Sequence, residues 1–243
     1  TFQVIKALEY GLNPLCVNAT TCDFSDLGRK NLENIKTLGV DTIEFSPNKK
    51  VRAKLNKIGL TEVGDITWPE HVGIFTIPVN FAVKFNIPLI LWGENSQNEY
   101  GAGPLNSSKT NEKNREWLQE FGGLLGLRVS DMHDAYQINK NDLLPYIYPN
   151  DEILKKKGIF GIFLGYYFAW EGYDNYKVAK NNGFQEYAGE LEGSLLNFEN
   201  LDNYLHGIHD YYKFLKFGFA RATDQACLQI RRGKLTRKKA LEI

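Results

Sequence analysis

The sequence predicts an α/β fold, a doubly wound and mainly parallel sheet, followed by a mostly helical C-terminal extension. Three observations lead there. Residues 87–92, Ile-Pro-Leu-Ile-Leu-Trp, form an apolar run without alternation, as in a parallel strand covered by helices on both faces. Around that run, helical and strand-like segments alternate in a βαβ rhythm. From about residue 159 the texture changes, and three helical patterns follow one another.

Taken in order, Phe2, Val4, Ile5 and Leu8 have helical spacing, with Gly11 as the stop. The strand expected before such a helix does not precede it here, so the sequence reads as part of a longer protein. Residues 14–17 form a short apolar strand ending at Asn18. Ser25 or Asp26 caps a helix to about residue 38, with Leu27, Leu32, Ile35 and Leu38 apolar and Gly39 beyond. Residues 40–45 form the next strand, ended by Pro47, and 49–60 a basic helix with Val51, Leu55 and Ile58 inward. Pro69 suits a first helical turn; Pro78, inside the same pattern, predicts a kink or break.

The 87–92 strand stops at Gly93. Glu94, Asn95, Gln97, Asn98, Glu99 and Tyr100 follow at once. Ligands of open α/β sheets bind outside the carboxyl ends of the strands, so this stretch is the first candidate site. The competing expectation is an ordinary polar loop. Residues 101–114, rich in Gly, Ser, Asn and Lys, form a candidate lid. A helix is expected over 116–127, a connection over 141–149, a strand over 159–164, and helices over 174–182, 201–217 and 223–232. The domains expected are 1–135, a nucleotide-binding α/β unit, and 136–243, a substrate or partner region.

Composition narrows the function. The 243 residues hold 29 basic and 29 acidic side chains, a net charge of zero, which argues against a dedicated nucleic-acid binder. Hydrophobic residues make up 43% and charged residues 24%, the mixture of a globular domain. Cys16, Cys22 and Cys227 have no metal-ligand spacing and form no disulfide framework, so a reduced, cytoplasmic protein is the default. No apolar run is long enough to cross a bilayer.

Several blocks together resemble the N-acetyl sugar amidotransferase family of the WbpG/PseA type. They are Tyr10-Gly-Leu-Asn-Pro-Leu15, Leu27-Gly-Arg-Lys-Asn-Leu-Glu-Asn34, Trp68-Pro-Glu-His-Val-Gly-Ile-Phe-Thr76 and Val83-Lys-Phe-Asn-Ile-Pro88. Trp92-Gly-Glu-Asn95, Glu99-Tyr-Gly101 and the stretch from Trp117 through Arg128 to Asp131 follow. His206-Gly-Ile-His-Asp-Tyr211 and the stretch from Lys213 through Arg221 to Ala226 complete the set.

The resemblance implies a nucleotide hydrolase fold of the PP-loop ATP pyrophosphatase type. It implies ATP and Mg2+ as cofactors, with Zn2+ in a cysteine-bearing segment before Thr1. It implies that an acetamido group becomes acetamidino: the amide oxygen attacks the α-phosphate, pyrophosphate leaves, and ammonia displaces AMP. The partners implied are the N-acetyl sugar, a glutaminase and a cyclase-like subunit that deliver ammonia; neither nucleic acid nor membrane insertion is expected.

On that resemblance Thr1 follows the phosphate loop directly, Val17 and Asn18 lie beside adenine and ribose, and Gly93 lies near the phosphates. Glu94, Asn95 and His71 are the candidate catalytic residues, with Glu94 also the candidate magnesium ligand. Glu99, Tyr100, Lys213 and Asp224 are assigned to the sugar, and Lys216 and Arg221 to the nucleotide. Bland alternatives stand beside these: a lysine partner for Glu99, a structural role for His71, His206 and His209, and a solvated helix face for the Lys213–Asp224 cluster. Two other functions stay open, a tRNA-modifying ATP pyrophosphatase and a non-catalytic nucleotide-binding subunit.

Overall fold

In a computed structural model, residues 1–20, 23–93 and 124–243 are described. The chain is a mixed α/β protein with short parallel strand pairs and a helical C-terminal region. Its first half runs α1 (Phe2–Glu9), β1 (Leu15–Ala19), α2 (Asp26–Thr37), β2 (Asp41–Phe45), α3 (Lys49–Val63), α4 (Trp68–Phe85) and β3 (Leu89–Trp92). There follow α5 (Val129–Asp134), α6 (Lys140–Leu143), α7 (Asp151–Lys157) and β4 (Phe160–Phe163). The last helices are α8 (Gly172–Asn181), α9 (His206–Phe217), α10 (Arg221–Arg231) and α11 (Arg237–Ala240).

Local chemistry accounts for most of these boundaries. The Ser25 hydroxyl accepts from the Gly28 N–H at 2.9 Å and caps α2. Asn48 does the same for α3 through the Lys50 N–H. Gly64 ends α3 with φ +63°, a left-handed conformation that costs a glycine nothing. Pro69 lies in the first turn of α4, where no backbone donor is needed. The break expected at Pro78 does not occur, and α4 is one helix of 18 residues. The carbonyl orphaned by Pro78 belongs to Ile74, which is solvent-exposed, so water can satisfy it.

Among the described residues the strands form two separate parallel pairs, β1 with β2 and β3 with β4. The first register sets Leu15 opposite Asp41, and the second sets Leu89 opposite Phe160. Helix α4 packs on both pairs, with Gly73 against Ala19 and Phe75 edge-on to Trp92 at 5.6 Å. The 87–92 strand departs from expectation. It starts at Leu89, and all four of its residues are only partly buried. Its second edge has no ladder partner among the described residues, and the Gln3 amide donates to the Leu91 carbonyl there at 2.6 Å.

The principal core lies under α3 and α4. Leu55, Ile58, Trp68 and Val72 meet Met132, Ile138, Tyr146 and Phe163. Residues 141–149, expected to be a plain connection, hold the end of α6 and a 3-10 turn over Leu144–Tyr146, and Leu143 and Tyr146 enter this core. The helix expected over 116–127 falls mostly outside the described residues, as does the candidate lid.

The helix expected from residue 201 begins only at His206. Residues 202–204 instead run beside 23–25: Phe24 and Asn203 form an antiparallel bridge, and the Ser25 N–H donates to the Asp202 carbonyl at 2.9 Å. A methyl group at Gly28 would collide with the Asp202 backbone, so this crossing requires glycine.

Candidate functional site

A cavity of about 370 Å³ lies between the start of α1, Trp170 and the helices α8 and α10. Trp170 is central to its wall. Gly93, just past β3, abuts Trp170, and Trp170 lies a few residues past β4. Phe2, at the start of α1, meets Trp170 edge-on at 5.4 Å. Helices α8 and α10 close the far side with Tyr176, Arg221, Asp224 and Gln225.

The lining is aromatic on one side and polar on the other. Tyr176 stacks on Phe198 at 4.2 Å and 11°, and Tyr173 meets Phe198 edge-on at 5.6 Å. Gln225 is buried and organises the polar wall. Its amide oxygen accepts from the Leu195 N–H at 2.7 Å, and its amide nitrogen donates to Glu199 at 2.7 Å. Arg221 donates to both Asp210 oxygens, at 2.8 and 3.2 Å, a two-pronged charged pair. The Asn200 amide oxygen accepts from the same guanidinium. Lys213, one turn below, pairs with Asp224.

Glu171 ties the end of the chain to this cavity. It caps α8 through the Asp174 N–H at 3.0 Å, accepts from Arg232 at 3.1 Å and pairs with Lys234 at 2.8 Å. Burial pushes the Glu171 pKa up, but the Lys234 hydrogen bond and the Asp174 and Tyr173 N–H groups outweigh it and bring it down from 4.5 to about 2. A depressed carboxylate stabilises the fold fully above its unfolded pKa, and that contribution fades as pH falls through the folded value. Glu171→Gln is therefore expected to cost about 1–2 kcal/mol at neutral pH, discounted for solvent screening. The difference from wild type should shrink steadily in urea melts taken below pH 4.5 and vanish near pH 2. A gap independent of pH would refute the assignment.

The second place a ligand can be read is the end of β1. Asn18 stands opposite Glu44 in the ladder, its side-chain oxygen buried and without a hydrogen-bond partner among the described residues; the Thr20 hydroxyl next to it is in the same state. Buried orphans of this kind call for an explanation, and a bound polar molecule is one.

Residues 181–243 match the family described as LPS biosynthesis protein WbpG-like, C-terminal domain. Over those residues the chain is similar to WbpG-type proteins. No curated protein matches it. The WbpG-like domain supplies Phe198, Glu199, Arg221, Asp224, Gln225 and Arg232 to the cavity, while Phe2, Trp170 and Tyr176 come from the rest of the chain.

The residues singled out from sequence fall in several places. Arg221 and Asp224 line the cavity, with Lys213 held to Asp224 beneath them. Gly93 lies against Trp170, which lines the cavity, and Thr1 caps α1 next to the lining residue Phe2. Val17 and Asn18 lie in β1. Lys216 lies elsewhere and donates to the Val63 carbonyl at 3.3 Å. Glu94, Asn95, Glu99 and Tyr100 lie outside the described residues.

His71 is joined to a residue that sequence reading passed over. Its Nδ1 is 2.9 Å from Asp65, and His209 of the WbpG-like domain brings its own Nδ1 to 3.1 Å from the other Asp65 oxygen. Thr67 donates to Asp65 from both its N–H and its hydroxyl, at 2.9 and 2.8 Å. Asp65 is 2% exposed. Burial pushes its carboxyl pKa up, but hydrogen bonds to His209 and His71 hold it well below the usual range. Burial works against a charge on His71, yet the Asp65 hydrogen bond and the charges of Asp65 and Glu70 raise its pKa. The missed signal is Asp-Ile-Thr directly ahead of Trp68-Pro69, an acidic turn at a helix start. The aromatic cavity wall was foreshadowed only by the aromatics crowded after residue 145.

Proposed function

We propose that this chain is an ATP-dependent amidotransferase of lipopolysaccharide or related surface-polysaccharide biosynthesis (O-antigen, capsule or flagellin glycan). It converts the acetamido group of an N-acetyl sugar to an acetamidino group in the cytoplasm. The observation that carries this is the cavity, nine of whose fifteen lining residues belong to the WbpG-like domain.

The lining suits a sugar. Tyr176, Phe198 and Trp170 offer faces for the apolar side of a pyranose, and Asn200, Asp224 and Glu199 offer partners for its hydroxyls. The end of β1 suits the nucleoside part of ATP, since the orphaned Asn18 oxygen can accept from an adenine amino group and Thr20 can serve a ribose. Glu94 is retained as the magnesium ligand and, with Asn95, as the group that orients ammonia. We take the two parallel pairs under α4 to be flanks of one doubly wound sheet of the PP-loop type, because one helix covers both and their remaining edges lack partners among the described residues.

The chemistry requires an amide oxygen to become a leaving group. It attacks the α-phosphorus and releases pyrophosphate; ammonia then adds to the carbon and AMP departs. Walls of aromatic rings keep water from competing for the activated carbon. Ammonia comes from a glutaminase partner with a cyclase-like subunit, and the exposed Tyr211, Phe214, Leu215 and Phe217 of α9 offer an apolar face for docking.

The test is to incubate the full-length protein with ATP, Mg2+, ammonium and candidate N-acetyl sugars. AMP formed only when the sugar is present, with oxygen exchanged for NH in its mass spectrum, is the expected result. AMP that depends on tRNA, or none with any sugar, overturns the proposal.

A further inference from the structure

The cluster at Asp65 lies outside the cavity and has no part in the chemistry above. Its three side chains come from three different pieces of chain. Asp65 is in the turn between α3 and α4, His71 is in the first turn of α4, and His209 is on α9 of the WbpG-like domain. Asp65, His71 and His209 each offer one ligand atom, and all three atoms lie within 4.8 Å of one another.

We propose that Asp65, His71 and His209 form a three-ligand site for a zinc-class divalent cation that clips the WbpG-like domain to the α/β core. Ligands on a common zinc ion at about 2.0–2.2 Å stand about 3.3 Å apart at a tetrahedral angle. His71 Nδ1 stands 2.9 Å from one Asp65 oxygen and His209 Nδ1 3.1 Å from the other, so the carboxylate lies between the two imidazoles. No spacing in the set exceeds 4.8 Å, so closing it takes at most about 1.5 Å, within the reach of small rotations of two partly exposed imidazoles. The donor set also selects the ion. Two imidazoles and one carboxylate suit zinc and its neighbours, whereas magnesium and calcium take oxygen.

The surroundings are arranged as such sites require. Asp65 is fixed by the Thr67 N–H and hydroxyl, the outer hydrogen bonds that orient a ligating carboxylate. Glu70 adds a nearby negative charge and Lys216 a positive one. Three protein ligands leave at least one position for water, and the two histidines are open enough to admit it. Because two ligands belong to the core and one to the WbpG-like domain, the ion would bind only the docked arrangement and so stabilise it.

The test uses the full chain and Zn2+ alone. One equivalent is expected to survive dialysis and to raise the melting temperature. His71→Ala and His209→Ala should each weaken binding about tenfold or more. His206→Ala should not, since His206 pairs with Asp202 instead. Co2+ should give the intense visible bands of a four-coordinate site. A variant that fails to fold leaves a direct reading on the wild type: with 15N-histidine label, Zn2+ should shift ring nitrogens of two of the four histidines and spare the others. Wild type that takes up no zinc, equal affinity in either histidine variant, or unshifted His71 and His209 nitrogens would each overturn the site.

Discussion

Arg221→Met is expected to lower kcat/KM for sugar-dependent AMP formation by about 100-fold, near 3 kcal/mol. Arg221 opens α10, faces the cavity and holds Asp210 on α9 with two hydrogen bonds. Removing it takes a positive charge from the polar wall and strands a carboxylate in a partly buried place. The methionine keeps most of the aliphatic volume, so packing alone should change little. Arg221→Lys keeps the charge but loses the fork, and recovery of only part of the rate is expected. Asp210→Asn separates the two roles. If Arg221 serves mainly to fix the α9–α10 turn, Asp210→Asn should cost as much as Arg221→Met. If it faces the substrate, Asp210→Asn should cost far less. Steady-state kinetics on all three, with thermal melts alongside, measure this. Near-normal kcat/KM in Arg221→Met would remove the residue from the proposal.

Trp68→Ala is expected to destabilise the fold by about 3–5 kcal/mol, a large part of the total for a domain of this size. The side chain is fully buried, and its indole N–H donates to the Leu124 carbonyl at 3.2 Å. Alanine leaves both a cavity and an unpaired carbonyl. Trp68→Phe fills much of the space and loses only the donor, so a cost of about 1–2 kcal/mol is expected. Urea denaturation followed by circular dichroism gives both values. A loss below about 1 kcal/mol for alanine would mean the core can close over the gap, contrary to the packing described.

Local signals in the sequence translated well into local structure. Ser25, Gly39 and Pro69 mark helix ends for reasons internal to a few residues, and α2, α3, β1 and β2 lie within a few residues of their expected limits. What failed depends on distant chain. The start of α9 is displaced because residues 202–204 are claimed by the edge at Phe24. Pro78 breaks nothing, and Ile74, whose carbonyl it orphans, is solvent-exposed. Val129–Asp134 and Asp151–Lys157 form helices too short for periodicity to reveal. Arg221 and Asp224 were legible as a cluster, but the cavity they share with Phe2 and Trp170 joins residues far apart in sequence, and no spacing rule reaches that distance. Asp65 went unnoticed because its meaning comes from His209, on another element altogether.

The antiparallel bridge between Phe24 and Asn203, with the Ser25 and Tyr204 N–H groups donating across it, has a consequence for biosynthesis. During translation the segment around Phe24 leaves the ribosome long before its partner has been made. Until then that edge stays unzipped and exposed to chaperones. The core under α3 and α4 draws on residues up to Phe163 and can form earlier, yet the edge at Phe24 is sealed only when residues 202–204 arrive. A recognisable sequence module at the C-terminus is thus a closing strap, and a gene truncated before it should yield a product marked for proteolysis.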